Sequence, residues 1–186
     1  MGTLCYTATI SLDGYVVDAD GHFQWAGPDD EVFRFHVDRM GAVSHEILGR
    51  RTYDLMRYWY SNPDAEGWGA DEREFARQWR ALQHIVVSST LGVGELEAPG
   101  DRLLSGLDPG ELRRIVGEAP GEVEIFGPTT AGPAIRAGMV SDFRLFVVPK
   151  MVGGGVAALP DGVREELELV EWRVFGAVAY LHYRLP

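Results

Sequence analysis

Short apolar runs, each stopped by a glycine or hydroxyl turn and followed by a helical stretch, set the limits on how this chain can fold. Residues 4–10, 42–48, 83–87, 122–126 and 143–148 read as strands. Between them the periodicity changes. A helix begins at Pro28 or Asp29, carries Asp29, Asp30 and Glu31 in its first turn, and ends at Gly41. Further helices are predicted over 51–58, over 71–82 with Asp71 as cap, over 108–116 with Pro109 at the first position, and after the Gly127-Pro128-Thr129-Thr130 turn up to Ala137, closed by Gly138. Strand–helix alternation repeated in this way predicts an α/β sandwich of three layers around a mostly parallel sheet. The last two apolar runs, 167–175 and 178–185, meet at Gly176-Ala177 and predict an antiparallel hairpin at the end of the sheet. Residues 11–24 read as a long, partly mobile loop, 61–70 as a surface loop, and 91–105 as irregular chain with one edge strand.

The chain has 186 residues, 46% of them apolar, enough for one core, and no linker divides it, so residues 1–186 are expected to form a single domain. Asp and Glu number 28 against 17 Lys and Arg, a formal net charge of −11, which argues against a nucleic-acid partner. The single cysteine, Cys5, allows no internal disulfide and suits a reducing compartment. No apolar run is long enough to cross a bilayer, and no basic-then-apolar leader opens the chain. The expectation is a cytoplasmic protein with no membrane partner.

Three strand ends carry similar chemistry. Gly49-Arg50-Arg51-Thr52, Ser88-Ser89-Thr90 and Gly127-Pro128-Thr129-Thr130 each follow a strand. In a parallel sheet the carboxyl ends of the strands share one edge, where ligands bind. A helix opening at Gly49 points free N–H groups at that edge, and two guanidinium forks stand beside them. Together the three turns describe a cradle for a phosphate-rich ligand. The alternative is that turns use such residues anyway and the arginines are solvated. No dinucleotide glycine fingerprint, P-loop, nucleophile elbow or cysteine pair is present, and the five histidines show no ligand spacing, so no metal is expected.

Four segments resemble the dihydrofolate reductase-like family, in the branch containing the riboflavin-biosynthesis reductase domain. Residues 9–15, Thr-Ile-Ser-Leu-Asp-Gly-Tyr, are similar to its first strand and loop. Residues 48–53, Leu-Gly-Arg-Arg-Thr-Tyr, are similar to its Gly-Arg-x-Thr-Tyr turn. Residues 86–90 are similar to its adenosine-side strand end, and 125–155 to its last block of glycine turn, helix, strand and glycine cluster. The resemblance implies NADPH as cofactor, a small heterocyclic substrate of pterin or pyrimidine type, and a homodimer. It implies that Gly49, Arg50, Arg51 and Thr52 hold phosphates, with Gly127, Thr129 and Thr130 opposite. Ser88, Ser89 and Thr90 would then lie near the adenosine 2′-phosphate, and Asp13, Gly14 and Tyr15 over the nicotinamide. Asp30, following Trp25-Ala26-Gly27-Pro28, matches the substrate-side acid of folate-reducing members. The alternative is that Asp29, Asp30 and Glu31 only complement a helix start. Trp25 and Phe33 are pocket or core.

One position departs from the pattern. Where the family has two adjacent glycines this chain has Phe126-Gly127. A ring at 126 either fills the space the cofactor needs or turns into the core. Two functions follow: an NADPH-dependent reductase, or a cofactor-free dimeric relative that binds a ligand or serves a structural role. Trp172, Val174 and Phe175 on the terminal hairpin suit a dimer surface.

Overall fold

A computed structural model describes residues 2–186. In chain order the strands are β1 (Leu4–Ser11), β2 (Tyr15–Asp18), β3 (Val43–Gly49), β4 (Gln83–Val87), β5 (Arg102–Leu104), β6 (Glu122–Phe126), β7 (Asp142–Val148), β8 (Gly155–Ala157), β9 (Glu168–Phe175) and β10 (Val178–Arg184). The helices are α1 (Asp30–Met40), α2 (Arg50–Met56), α3 (Pro63–Glu66), α4 (Ala70–Trp79), α5 (Pro109–Glu118) and α6 (Pro128–Arg136). The main sheet runs β5-β4-β3-β6-β1-β7-β10-β9. Its first six strands are parallel, and the terminal hairpin adds β10 and β9 antiparallel.

Local chemistry accounts for most boundaries. Asp29 caps α1 by accepting from Val32 N at 2.9 Å. Asp108 caps α5 through Gly110 and Glu111 N–H groups, with Pro109 in the first turn. Two expectations shift. Helix α4 starts at Ala70 behind Gly69, so Asp71 lies in its first turn and pairs with Arg34 at 2.7 Å instead of capping. The loop after α2 holds the single turn α3, capped by the Asn62 side chain.

The two faces of the sheet differ in kind. On the face covered by α5 and α6, Ile85, Ile47, Ile125, Tyr6, Phe143 and Tyr183 stand in register across six strands. One residue earlier on each parallel strand, and one later on β10, the opposite face carries His84, Glu46, Glu124, Cys5, Asp142 and Arg184 in the same register. Strand alternation makes both rows from one sequence pattern. Helices α1 and α4 cover the polar row, adding Val37, Met40, Phe75 and Trp79. The polar row is paired internally. Arg144 binds Glu122 through two contacts of 2.7 Å, Arg39 binds Glu124 at 2.8 Å, and Asp142 takes His182 and Arg184.

Residues 11–24 are more ordered than a mobile loop. β2 pairs antiparallel with β8, making a small second sheet above the carboxyl end of β1. Gly155 permits that pairing: its φ is +131°, and a Cβ there would collide with the Val17 carbonyl oxygen. On the far edge, Trp172 and Val174 of β9 are exposed, while Phe175 packs on Phe35 at 5.0 Å between ring centres. No helix among the described residues is long and apolar enough to cross a membrane.

Gly155→Ala should therefore unfasten β2 from β8, costing about 2 kcal/mol. Hydrogen exchange should rise for the amides of residues 15–18 and 155–157 while the main sheet stays protected. Unchanged exchange in that pair would contradict the steric argument.

Candidate active site

Strands β3 and β6 are neighbours, so their carboxyl ends, Gly49 and Gly127, lie side by side with α2 and α6 opening beyond them. The two turns interlock. A Cβ on Gly49 would collide with the Thr130 hydroxyl, and one on Gly127, where φ is +82°, would approach the Thr52 hydroxyl at 3.4 Å. Close approach to Thr130 calls for glycine at 49, whereas at 127 it is the positive φ that does.

Other cradle residues divide into those already engaged and those left free. Arg50 donates to Thr90 Oγ1 at 3.2 Å and to Asp54 at 3.4 Å, linking the β3 turn to the β4 turn. Ser88 Oγ is buried and accepts from the N–H groups of Thr90 and Leu91, so it builds its own turn. Arg51, Ser89 and Thr129 are exposed, and their side chains make no hydrogen bond or ion pair among the described residues. The donors available at this edge are thus the Arg51 guanidinium, two hydroxyls, the N–H groups opening α2 and, at α6, the Thr129 N–H, since Pro128 has none and the Thr130 N–H donates to the Gly127 carbonyl. That set suits a phosphate-bearing ligand such as NADPH.

Asp13, Gly14 and Tyr15 lie next to this edge but hold the protein to itself. The Asp13 carboxylate accepts from Val152 N at 3.1 Å and Gly153 N at 2.7 Å, and Ser11 Oγ accepts from Tyr15 N at 3.0 Å. These bonds tie the end of β1 to the glycine-rich segment after β7.

A cavity of about 350 Å³ opens on the polar face, between α1, the chain from α2 through Tyr58 and Trp59, α4, and strands β3 and β6. Its walls include Phe33, Met40, Met56, Trp59, Phe75 and Phe126, with Leu55 and Tyr58 near solvent. Phe33 stacks on Trp59 at 5.8 Å with 25° between planes, so the two rings form one continuous aromatic wall. Four polar residues converge on it: Glu46, Glu124, His36 and Arg39. A mostly apolar cavity with a few convergent polar groups is the usual form of a small-molecule site.

The electrostatics of the four are set by burial. Glu46 is 2% exposed, its Oε2 accepts from Trp79 Nε1 at 2.7 Å, and its other oxygen has no partner among the described residues. Burial, with the neighbouring Glu124 charge, raises its pKa to about 8, so it carries a proton at neutral pH. Glu124 is stabilised differently: Oε1 accepts from Thr7 at 2.9 Å, Arg39 at 2.8 Å and Arg144 at 3.4 Å. Burial lowers the His36 pKa to about 4, leaving a neutral imidazole with no hydrogen bond to the described residues. Burial likewise pushes the Cys5 thiol up to about 12, so it is no nucleophile.

Asp30 is exposed in the first turn of α1 and does not line the cavity. Trp25 also stays outside, its Nε1 donating to the His22 carbonyl at 3.0 Å, whereas Phe33 forms a wall. The acids facing the cavity come from β3 and β6. Residue-by-residue reading missed Glu46, Glu124, His36 and Arg39 as site residues. The available signal was an acid inside strands otherwise made of buried apolar residues. The Phe126 ring shares the face of Glu124 and lines the cavity, packed with the α1–α4 cluster.

The six parallel strands with an antiparallel terminal hairpin have the dihydrofolate reductase-like fold, as the structural neighbours below do. The chain belongs to the family of the RibD C-terminal domain, whose model matches residues 3–98. It is similar to a solved Shewanella sp. PV-4 protein provisionally described as a riboflavin biosynthesis protein, at 17% identity and TM-score 0.75, covering 99% of each chain. It is similar to RibD of Acinetobacter baumannii at 13% identity and TM-score 0.73, and spans 58% of that protein. A third is the Thermotoga maritima diaminohydroxyphosphoribosylaminopyrimidine deaminase/5-amino-6-(5-phosphoribosylamino)uracil reductase, at 17% identity and TM-score 0.66. This chain covers 57% of it. No curated protein matches the chain in sequence.

The proton on Glu46 gives a signed pH effect. The folded chain keeps it up to about pH 8, while the unfolded chain releases it near 4.5. The folded state therefore binds the extra proton between those values, and the stability this contributes is full below the lower value and lost as pH rises through the upper one. Relative to Glu46→Gln, the wild type should lose stability steadily from about pH 5 to about pH 8 in denaturant titrations. Parallel profiles would contradict the assignment.

Proposed function

We propose that the chain is an NADPH-dependent reductase of a small heterocyclic substrate, with the dinucleotide along the strand edge and the substrate in the cavity. The observation that carries this reading is the adjacency of the two: β6 ends at Phe126 in the cavity wall and continues as Gly127 in the cradle. The reductase role also draws on the Thermotoga relative, whose name joins a deaminase to a reductase and of which this chain spans about half.

Arg51, Ser89, the Thr129 hydroxyl and N–H and the opening N–H groups of α2 would hold the phosphates, with Arg50 and Thr90 shaping that wall from the adenosine side. A bound nicotinamide supplies hydride. The protein's share is binding, exclusion of water and a proton. The aromatic walls keep the slot dry, which strengthens every polar contact inside it. Trp79 fixes one oxygen of Glu46, so the other presents the acid proton to the cavity. The Arg39–Glu124 pair is held by Thr7 and Arg144 and gives a fixed edge against which a ring can be oriented. Asp13, Gly14 and Tyr15 keep the β1 end closed beside it. The protein acts as a cytoplasmic homodimer in this reading, a second copy covering Trp172 and Val174 of β9.

The alternative, a cofactor-free ligand-binding relative, draws on one feature: the Phe126 ring where the family has glycine. Titration with NADPH and NADH, followed by tryptophan fluorescence, separates the two. The wild type should bind NADPH more tightly than NADH. Arg51→Ala should weaken NADPH binding at least about tenfold, as expected for a lost charge-assisted contact. Binding only after Phe126→Gly would favour the cofactor-free relative, and binding by neither protein would overturn the cradle. Trp172→Glu should shift the mass seen by light scattering from dimer to monomer.

A further inference from the structure

We infer that the cavity selects an uncharged planar ring presenting a hydrogen-bond acceptor to Glu46, and excludes rings that carry a phosphate. Glu46 is then the residue that sets specificity. The inference rests on the proposed reading of the cavity as the substrate site, and narrows it.

The first support is the unfilled valence of Glu46. One oxygen is held by Trp79 and the other has no protein partner, in a side chain almost wholly removed from water. That oxygen keeps its slight exposure at the cavity, so an occupant that displaces water from it must replace the lost hydrogen bond, since a buried polar group left unpaired is costly. A carbonyl oxygen or ring nitrogen does so by accepting from the protonated acid. An anion brought to the same place would also stand beside Glu124, the register neighbour of Glu46.

Cavity charge points the same way. Among the described residues lining it, Arg39 is the only guanidinium. Arg39 is already committed to Glu124 at 2.8 Å, with Glu122 at 3.9 Å. His36, the other basic side chain, is held neutral by burial. No lining cation is free to offset a phosphate, and burying an unpaired charge is far more costly than burying a neutral ring. At the rim, Pro28 is followed by exposed Asp29, Asp30 and Glu31, and Arg57, between the lining residues Met56 and Tyr58, is committed to Glu97 and Asp54. A phosphate projecting past Pro28 meets acids. This differs from the Thermotoga relative, whose named uracil substrate carries a phosphoribosyl group.

The direct test uses the cofactor-free protein and two probes at pH 7: quinazolin-4-one, a neutral planar ring with a carbonyl, and the same ring bearing a phosphonomethyl group. Calorimetry should show the neutral ring binding and the phosphonate at least tenfold weaker. Glu46→Ala should lose at least tenfold for the neutral ring, while Glu46→Gln, which can still donate, should stay within about threefold. The wild-type affinity should also fall above about pH 8, and that of Glu46→Gln should not. The groups facing Glu46 that could share this titration are His84 on β4, Glu124 on β6, His36 and Arg39 on α1, and Tyr58 and Tyr60 beyond α2. The glutamine variant isolates Glu46 from them. Equal or tighter phosphonate binding, no effect of Glu46→Ala, or no binding of the neutral ring would each overturn the inference. The two-probe comparison on the wild type stands even if a variant fails to fold. NADPH binding without ring binding would remove the selectivity and leave the reductase reading. Ring binding without NADPH binding would do the reverse.

Discussion

Two carboxyl groups in register, Glu46 on β3 and Glu124 on β6, are buried side by side beneath α1 and α4. Like charges this close cannot both persist away from water. The fold settles the conflict unequally. Glu124 receives Arg39 from α1 and Arg144 from β7, together with the Thr7 hydroxyl from β1. Glu46 receives only the Trp79 indole and keeps a proton. Arg39 thereby pins the last turn of α1 to the middle of the sheet, and Arg144 joins β7 to β6 across β1. Each guanidinium backs the other at Glu124, so removing one leaves the carboxylate with the second and with Thr7.

That unequal settlement also shapes the site. Both carboxyls line the cavity: Glu124 is satisfied there by its partners, while Glu46 keeps a neutral, unpaired oxygen. Strand β6 joins this slot to the cradle through one alternation: Glu124 and Phe126 on the cavity face, Val123 and Ile125 on the α5–α6 face. The Phe126 ring therefore belongs to the cavity wall, and the special backbone geometry needed at the edge falls to Gly127 alone, with φ of +82°.

The order of strands and helices was readable because each element has its own local signal. Buried strands are short apolar runs, and α1, α5 and α6 open on Asp29, Asp108 and Pro128. Strands β2 and β8 were not readable, since each is three or four residues long and exists only through the other. The cradle was legible for the same reason as the helices: Gly49, Arg51 and Gly127 lie in turns whose chemistry is local. Its internal division was not, because whether Arg50 is free depends on Thr90, which stands forty residues on. The cavity was least legible. Glu46, Glu124, His36 and Arg39 come from three separate elements and converge only by sheet register and helix docking. Asp30 drew notice by its place in a familiar local pattern, while the acids that reach the cavity lie in strands. Glu46, Glu124 and Arg144 within apolar strands were the available clue, since charged residues are almost never buried without a partner.

The most direct test of this account is the ionisation of Glu46 itself. Carboxyl-carbon NMR on protein labelled at glutamate, with the resonance assigned by its loss in Glu46→Gln, would follow that one group through pH. The account predicts a protonated acid at pH 7 with a midpoint of about 8. A carboxylate titrating in the ordinary range near 4.5 would contradict it, and with it the neutral donor on which the proposed site depends.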